Sequence, residues 1–120
     1  MSELMDKKNL SLLVETGFAA CMQGKVLQAR RIFENILDYK TSTPAILGLA
    51  FTYLVVDDFD KGDNLLEALD QNSDDVKAFK VFSLVLQRKV DEAYSLYENI
   101  ENKDLPSAIL AKNCLLMAER

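Results

Sequence analysis

Apolar residues recur along most of the chain at steps of three and four, the spacing of one face of an α-helix. In one such stretch the apolar positions are Val26, Ala29, Ile32, Phe33, Ile36 and Leu37. Two further stretches, residues 59–69 and 90–100, follow the same pattern, and β-branched alternation is almost absent. The pattern predicts an all-α fold.

The three stretches share a small residue four positions before a bulky one. These pairs are Ala29/Phe33, Gly62/Leu66 and Ala93/Tyr97. A more apolar helix is predicted ahead of each stretch, over 10–22, 44–56 and 76–86, and a seventh helix over 106–119. The pairs recur at nearly equal intervals of just over thirty positions, a period that is typical of stacked helix pairs. We therefore predict three antiparallel pairs and a C-terminal capping helix.

The three repeats and the capping helix are predicted to form a single domain. An N-terminal extension covers residues 1–9 and the helical-repeat domain covers 10–120, with repeats at about 10–42, 43–74 and 75–103 and the capping helix at about 105–119. Gly24 suits a turn that needs positive φ. Thr43 is predicted to cap the third helix, with Pro44 at its first position.

Composition narrows the possible functions. Of 120 residues, 19 are acidic and 14 basic, for a net charge of -5, and there is no basic patch for nucleic acid or anionic lipid. The chain has no histidine, the commonest general base and metal ligand. The acidic cluster at residues 57–63 lacks the ligand spacing of a calcium loop. We expect no enzyme activity, cofactor or metal site.

The two cysteines, Cys21 and Cys114, lie among apolar neighbours and are expected to be buried thiols in a reducing cytosol. The first eight residues carry acids where a signal peptide needs a basic and then an apolar run. The longest apolar run, 45–56, broken only by Thr52, is too short to span a bilayer. The protein is expected to be soluble and cytoplasmic, with no membrane partner.

The repeats resemble the tetratricopeptide repeat family. The matching positions are Gly17, Ala20, Gly24, Ala29 and Phe33 in the first repeat, Ala50, Tyr53, Asp57, Gly62 and Leu66 in the second, and only Ala93 and Tyr97 in the third. The resemblance implies a short right-handed superhelix whose first helices line a concave groove. Set on this chain, with the third repeat placed one residue later than its second helix implies, the groove anchors are Val14, Phe18, Cys21, Leu47, Phe51, Leu54, Phe79 and Leu86.

Such an apolar groove has to be covered, and three occupants stay open. An amphipathic helix of a partner is the first, the chain's own termini are the second, and a second copy of the chain, as a homodimer, is the third. If a partner fills the groove, Phe51→Glu is expected to leave the chain helical and abolish binding. If the chain is instead a general repeat scaffold that docks folded proteins on its outer faces, Arg30→Glu/Arg31→Glu is expected to weaken binding.

In size, acidity, repeat number and apolar groove, the chain is similar to the type III secretion co-chaperones of the YscG/PscG kind. This resemblance implies a bacterial cytoplasmic chaperone in a heterocomplex with a small helical co-chaperone and the needle subunit. The needle subunit's amphipathic helix would lie in the groove, which would prevent premature polymerisation. A chaperone for another secretion substrate, such as a translocator, is the alternative within the same systems.

Overall fold

The computed structural model describes residues 7–118. Within this range the fold is all-α, as predicted. The helices are α1 (Lys7–Met22), α2 (Val26–Tyr39), α3 (Thr43–Leu54), α4 (Phe59–Glu67), α5 (Asp74–Leu86), α6 (Val90–Glu98) and α7 (Pro106–Ala118). Helix α1 begins at Lys7, three residues before the predicted start of the first helix at residue 10. The rest of the predicted extension, residues 1–6, and residues 119–120 lie outside the described part.

The helices form two layers. In one layer α1 contacts α3, α3 contacts α5 and α5 contacts α7. In the other layer each second helix packs against the first helices on either side of it, so that α2 lies against α1 and α3, α4 against α3 and α5, and α6 against α5 and α7. This arrangement gives three helix pairs followed by α7.

The turns inside the three pairs have one backbone conformation. Gly24 (φ 84°), Asp57 (φ 64°) and Arg88 (φ 64°) occupy the same left-handed position in successive turns. The residue after each donates a 2.9 Å backbone hydrogen bond to the carbonyl five residues earlier. Because the interval from Asp57 to Arg88 equals that from Gly62 to Ala93, the third pair superposes on the second without a shift. The one-residue offset predicted for the third repeat is therefore wrong.

Two glycines let α1 and α3 pack closely against the Phe33 ring of α2. Phe33 is fully buried between Gly17 of α1 and Gly48 of α3. A Cβ on Gly17 would lie 2.6 Å from the Phe33 ring, and one on Gly48 would overlap it. The small-then-bulky spacing in the sequence thus marks the positions where second helices fit against first helices.

Side-chain caps fix the starts of the central helices. Ser42, not Thr43, caps α3: its hydroxyl accepts a hydrogen bond from the Ala45 N–H at 3.3 Å, and Thr43 is already helical. Asp58 and Ser73 cap α4 and α5 in the same way. Each cap satisfies an N–H group that the first helical turn leaves unpaired.

Candidate partner-binding face

The first helices share a surface that we call the first-helix face, the side of α1, α3, α5 and α7 turned away from the second helices. Near the N-terminal ends of α3, α5 and α7 it contains a depression of about 300 Å³, which we call the central depression. Residues from all four of these helices and the segment before α7 line this central depression: Phe18, Pro44, Leu47, Asp75, Phe79, Leu105, Pro106 and Ser107. The lining is mostly apolar, and its one acid lies at the edge toward α7.

A second depression adjoins the first at Pro44, which lines both. This amino-terminal depression measures about 460 Å³ and is lined by Lys7, Leu10, Ser11, Val14, Lys40, Ser42 and Pro44. Its apolar residues come from α1 and the start of α3, and two of its lining residues are lysines. The two depressions together form an apolar trough with a positive end.

A cluster of phenylalanine rings forms the floor beneath the trough. The Phe18 ring centre lies 5.2 Å from that of Phe33, 5.8 Å from Phe51 and 6.0 Å from Phe79. Phe51 lies 6.0 Å from Phe79 and 5.0 Å from Phe82. These separations are in the range of favourable edge-to-face and tilted aromatic packing. The chain therefore buries part of its own groove by joining α1, α3 and α5 through this cluster.

Half of the predicted groove anchors line the trough. Val14 lines the amino-terminal depression, and Phe18 and Phe79 line the central one; all three are half-buried. Leu47 also lines the central depression, but only 6% of it is exposed. Val14, Phe18 and Phe79 are thus the predicted residues that the chain leaves open to contact.

Of the other four predicted anchors, three are buried in the core and one lines a different depression. Phe51 is 3% exposed, Cys21 6% and Leu54 0%, which corrects the prediction that these three are open to a partner. Leu54 faces the second helix of its own pair, since a Cβ on Gly62 would lie 2.5 Å from it. Leu86 is 36% exposed but lines a separate depression at the end of α7. Val85 in the third pair is equivalent to Leu54, because each lies three residues before the left-handed residue of its turn.

Sequence reasoning missed the contribution of the segment that leads into α7. Leu105 and Ser107 form one side of the central depression, although this region was predicted only to cap the stack. Leu10, which sequence reasoning used to start the first repeat, lines the amino-terminal depression. The apolar pair Leu105–Pro106 was the available signal, but its partners on α3 and α5 are far away in sequence.

Two aspartates at the start of α5 hold that segment in place. The Asp74 carboxylate accepts hydrogen bonds from the backbone N–H groups of Asn102 (3.0 Å) and Glu101 (3.2 Å), and these bonds lower the pKa of Asp74. The Ser107 hydroxyl donates a short hydrogen bond to Asp75. The α7 side of the central depression is therefore tied to α5 at both ends of the connection.

Arg30, which lies on the second helix α2, has a structural role. Its guanidinium lies 4.0 Å over the Tyr53 ring and donates hydrogen bonds of 3.2 Å to the Thr52 hydroxyl and to the Thr52 carbonyl. Thr52 is fully buried, so these contacts tie α2 to α3. A change at Arg30 therefore alters stability, and only exposed Arg31 reports cleanly on docking to the outer face.

The prediction of buried thiols is confirmed for Cys21, whereas Cys114 is partly exposed and lines a surface depression. Cys21 is 6% exposed and Cys114 is half-buried. Burial raises the pKa of both thiols, and for Cys21 the nearby charge of Arg30 opposes this in part. Since the thiolate is the reactive form, both cysteines are neutral packing groups at neutral pH.

No protein-family model, curated protein or solved structure matches the chain. Within residues 7–118, no helix combines the length and the apolar character that crossing a bilayer requires.

Proposed function

We propose that the protein is a helix-binding adaptor, in which the first-helix face holds an amphipathic helix of a partner and shields that helix from self-association. The observation that carries the proposal is the trough. Four helices converge on it, half-buried Val14, Phe18 and Phe79 line it, and the Phe18 and Phe79 rings belong to the aromatic cluster that forms its floor. An amphipathic helix that presents anchors at helical spacing is the partner that such a groove recognises.

The lysines define the partner further. Lys7 and Lys40 border the amino-terminal depression of a chain whose net charge is -5. A partner helix with acidic residues beside its apolar stripe, near this end of the trough, complements that charge. The aromatic floor makes the trough shallow, so the partner contributes anchors of moderate size.

The resemblance to the YscG/PscG co-chaperones suggests a specific partner. On that basis we propose a tetratricopeptide-like chaperone acting in the bacterial cytoplasm, in a heterocomplex with a type III secretion needle subunit and a small helical co-chaperone. Holding the needle subunit's helix would prevent its premature polymerisation. A translocator chaperone would use the same face, and the two differ only in the partner.

Native mass spectrometry tests this proposal. The chain purified alone is expected to be a monomer, and co-expression with the genes neighbouring its own is expected to give a defined complex with small helical subunits. A stable homodimer that none of the neighbouring products dissociates would contradict the proposal, because the trough would then be filled by a second copy.

A further inference from the structure

The trough crosses the first helices at one level and does not follow any one of them. Ser11, Pro44 and Asp75 each lie thirteen residues before the left-handed residue of their turn. Ser107 holds the same place in α7, directly before a buried alanine, as Pro44 does in α3. All four residues line the trough. A helix bound there lies across three interhelical spacings of about 8–10 Å each, which takes roughly 16–20 residues at a rise of about 1.5 Å.

The charged residues that line the trough are separated by sign. Exposed Lys7 and Lys40 line the amino-terminal depression, and exposed Asp75 lines the central one. Among residues 7–118 the ion pairs involve two other lysines, Lys61 and Lys80, so no acid of the described chain neutralises the trough lysines. The hydroxyl group that bonds to Asp75 carries no charge, so that carboxylate stays negative. The trough therefore has a positive end and a negative end.

An α-helix bound in this trough also has two electrically different ends. The unpaired N–H groups of its first turn are equivalent to about half a positive charge, and the unpaired carbonyl groups of its last turn to about half a negative charge. Both ends are attracted when the carbonyl end lies over the two lysines and the N–H end lies over Asp75. Both are repelled when the helix is turned round. This preference acts on the backbone of the bound helix, so it does not depend on the side chains of the partner.

We propose that the trough binds its partner helix in one direction, with the C-terminal end of that helix at Lys7 and Lys40 and its N-terminal end at Asp75. This inference rests on the proposed function, a helix-binding trough, and adds the direction and the kind of helix that fits. The helix carries an apolar stripe over about 16–20 residues, acidic residues in its last turn and basic residues in its first. A helix with the opposite charge order fits poorly either way round, because its side chains and its backbone dipole favour opposite directions.

Two designed peptides of 18 residues and identical composition test the charge order. Both carry the same leucine stripe and a hydrocarbon staple on the opposite side, which keeps them equally helical. The first has lysines in its first turn and glutamates in its last turn, and the second has the reverse order. Fluorescence polarisation with the full chain is expected to show saturable binding of the first peptide. The second is expected to bind about fivefold more weakly or worse.

Charge reversal at the positive end is expected to abolish this difference. In the Lys7→Glu/Lys40→Glu chain both ends of the trough are negative, so the two peptides are expected to bind with equal affinity. The matched control is Lys25→Glu/Lys89→Glu, which makes the same change at two exposed lysines that line neither depression. The control chain is expected to keep the preference for the first peptide. All four lysines are exposed, so circular dichroism should show a retained fold.

A nitroxide spin label on the first peptide reports the direction itself. Placed at the C-terminus of the peptide, it is expected to broaden the backbone amide NMR signals of Leu10 and Ser11 and to leave those of Leu105 and Ser107 sharp. Placed at the N-terminus, it is expected to broaden Leu105 and Ser107 instead. The reduced label, which is diamagnetic, is the control.

The outcomes separate the direction from the binding site. Broadening in the reverse order, equal broadening at both ends, or equal affinity of the two peptides for the unchanged chain would overturn the direction and leave the trough a helix-binding site. Absence of saturable binding of both peptides up to about 1 mM would overturn the direction and the trough together. So would a homodimer of the chain that the first peptide does not dissociate, because a second copy would then fill the trough.

Discussion

Replacing Phe51 with glutamate is expected to unfold the protein. Phe51 is 3% exposed, and its ring contacts those of Phe18, Phe79 and Phe82 at centre separations of 5.0 to 6.0 Å. Removing such a side chain costs about 3–5 kcal/mol, and an unpaired charge in its place adds to that cost. The total comes close to the whole stability of a domain, about 5–15 kcal/mol. Loss of the helical circular dichroism signal and of a cooperative melting transition would be the readout.

The control for this change is Tyr39→Glu, since Tyr39 is an aromatic residue that is 48% exposed at the end of α2. It is expected to alter the free energy of unfolding by about 0.5 kcal/mol or less. A Phe51→Glu chain that stays helical and melts like the unchanged protein would contradict the structure. It would instead support the open groove that the sequence pattern predicts, with Phe51 on its surface.

Val14→Glu is expected to abolish partner binding and leave the fold intact. Val14 is half-buried in the amino-terminal depression, so the glutamate can reach solvent in the free chain. In the complex, the same charge would be buried beneath the apolar side of the partner helix. A loss of about 2–4 kcal/mol corresponds to a 30- to 1000-fold weaker Kd. Titration of the co-purified partner against each chain by isothermal calorimetry measures this directly.

Leu12→Glu is the matched control, because Leu12 lies two residues away on α1, is 51% exposed and lines neither depression. Its Kd is expected to stay within about twofold of that of the unchanged chain. Equal weakening by both variants would mean that the partner does not enter the trough. So would unchanged binding by Val14→Glu.

The sequence was sufficient to predict the helix pairs because their second helices are strongly amphipathic. In α2, polar and apolar residues alternate at helical spacing, and the buried residues Ala29, Phe33 and Ile36 are those that the pattern selects. The repeat of small-then-bulky pairs also predicted the spacing of the turns. Gly24 marks the left-handed position in the first turn, while Asp57 and Arg88 hold it in the others.

The groove was harder to predict because the first helices lack a polar face to fix their rotation. From Leu47 to Leu54, every residue of α3 except Tyr53 is buried, so the pattern could not tell a groove residue from a core residue. In α5, Val85 and Leu86 are adjacent and both apolar, and the pattern favoured the wrong one.

The remaining features of the site depend on contacts between residues that are far apart in sequence. Phe18 and Phe79 are 61 positions apart, yet their rings meet at 6.0 Å and close the floor of the trough. Arg30 is 22 positions from Thr52, and its two hydrogen bonds to that residue make it part of the framework. Hydrophobic periodicity carries no information on such pairs, because it reports only which face of one helix is apolar.

Site-specific photo-cross-linking tests the central claim, binding of a partner helix on the first-helix face, most directly. A benzoylphenylalanine at position 79 keeps the phenyl ring of Phe79, which lines the central depression, and adds a photoreactive benzoyl group to it. The same group at position 27 replaces Leu27, which is 69% exposed on the opposite layer in α2. The account predicts that the complex cross-links to the partner from position 79 and not from position 27. Cross-linking from position 27 alone would contradict it and would place the partner on the outer helices.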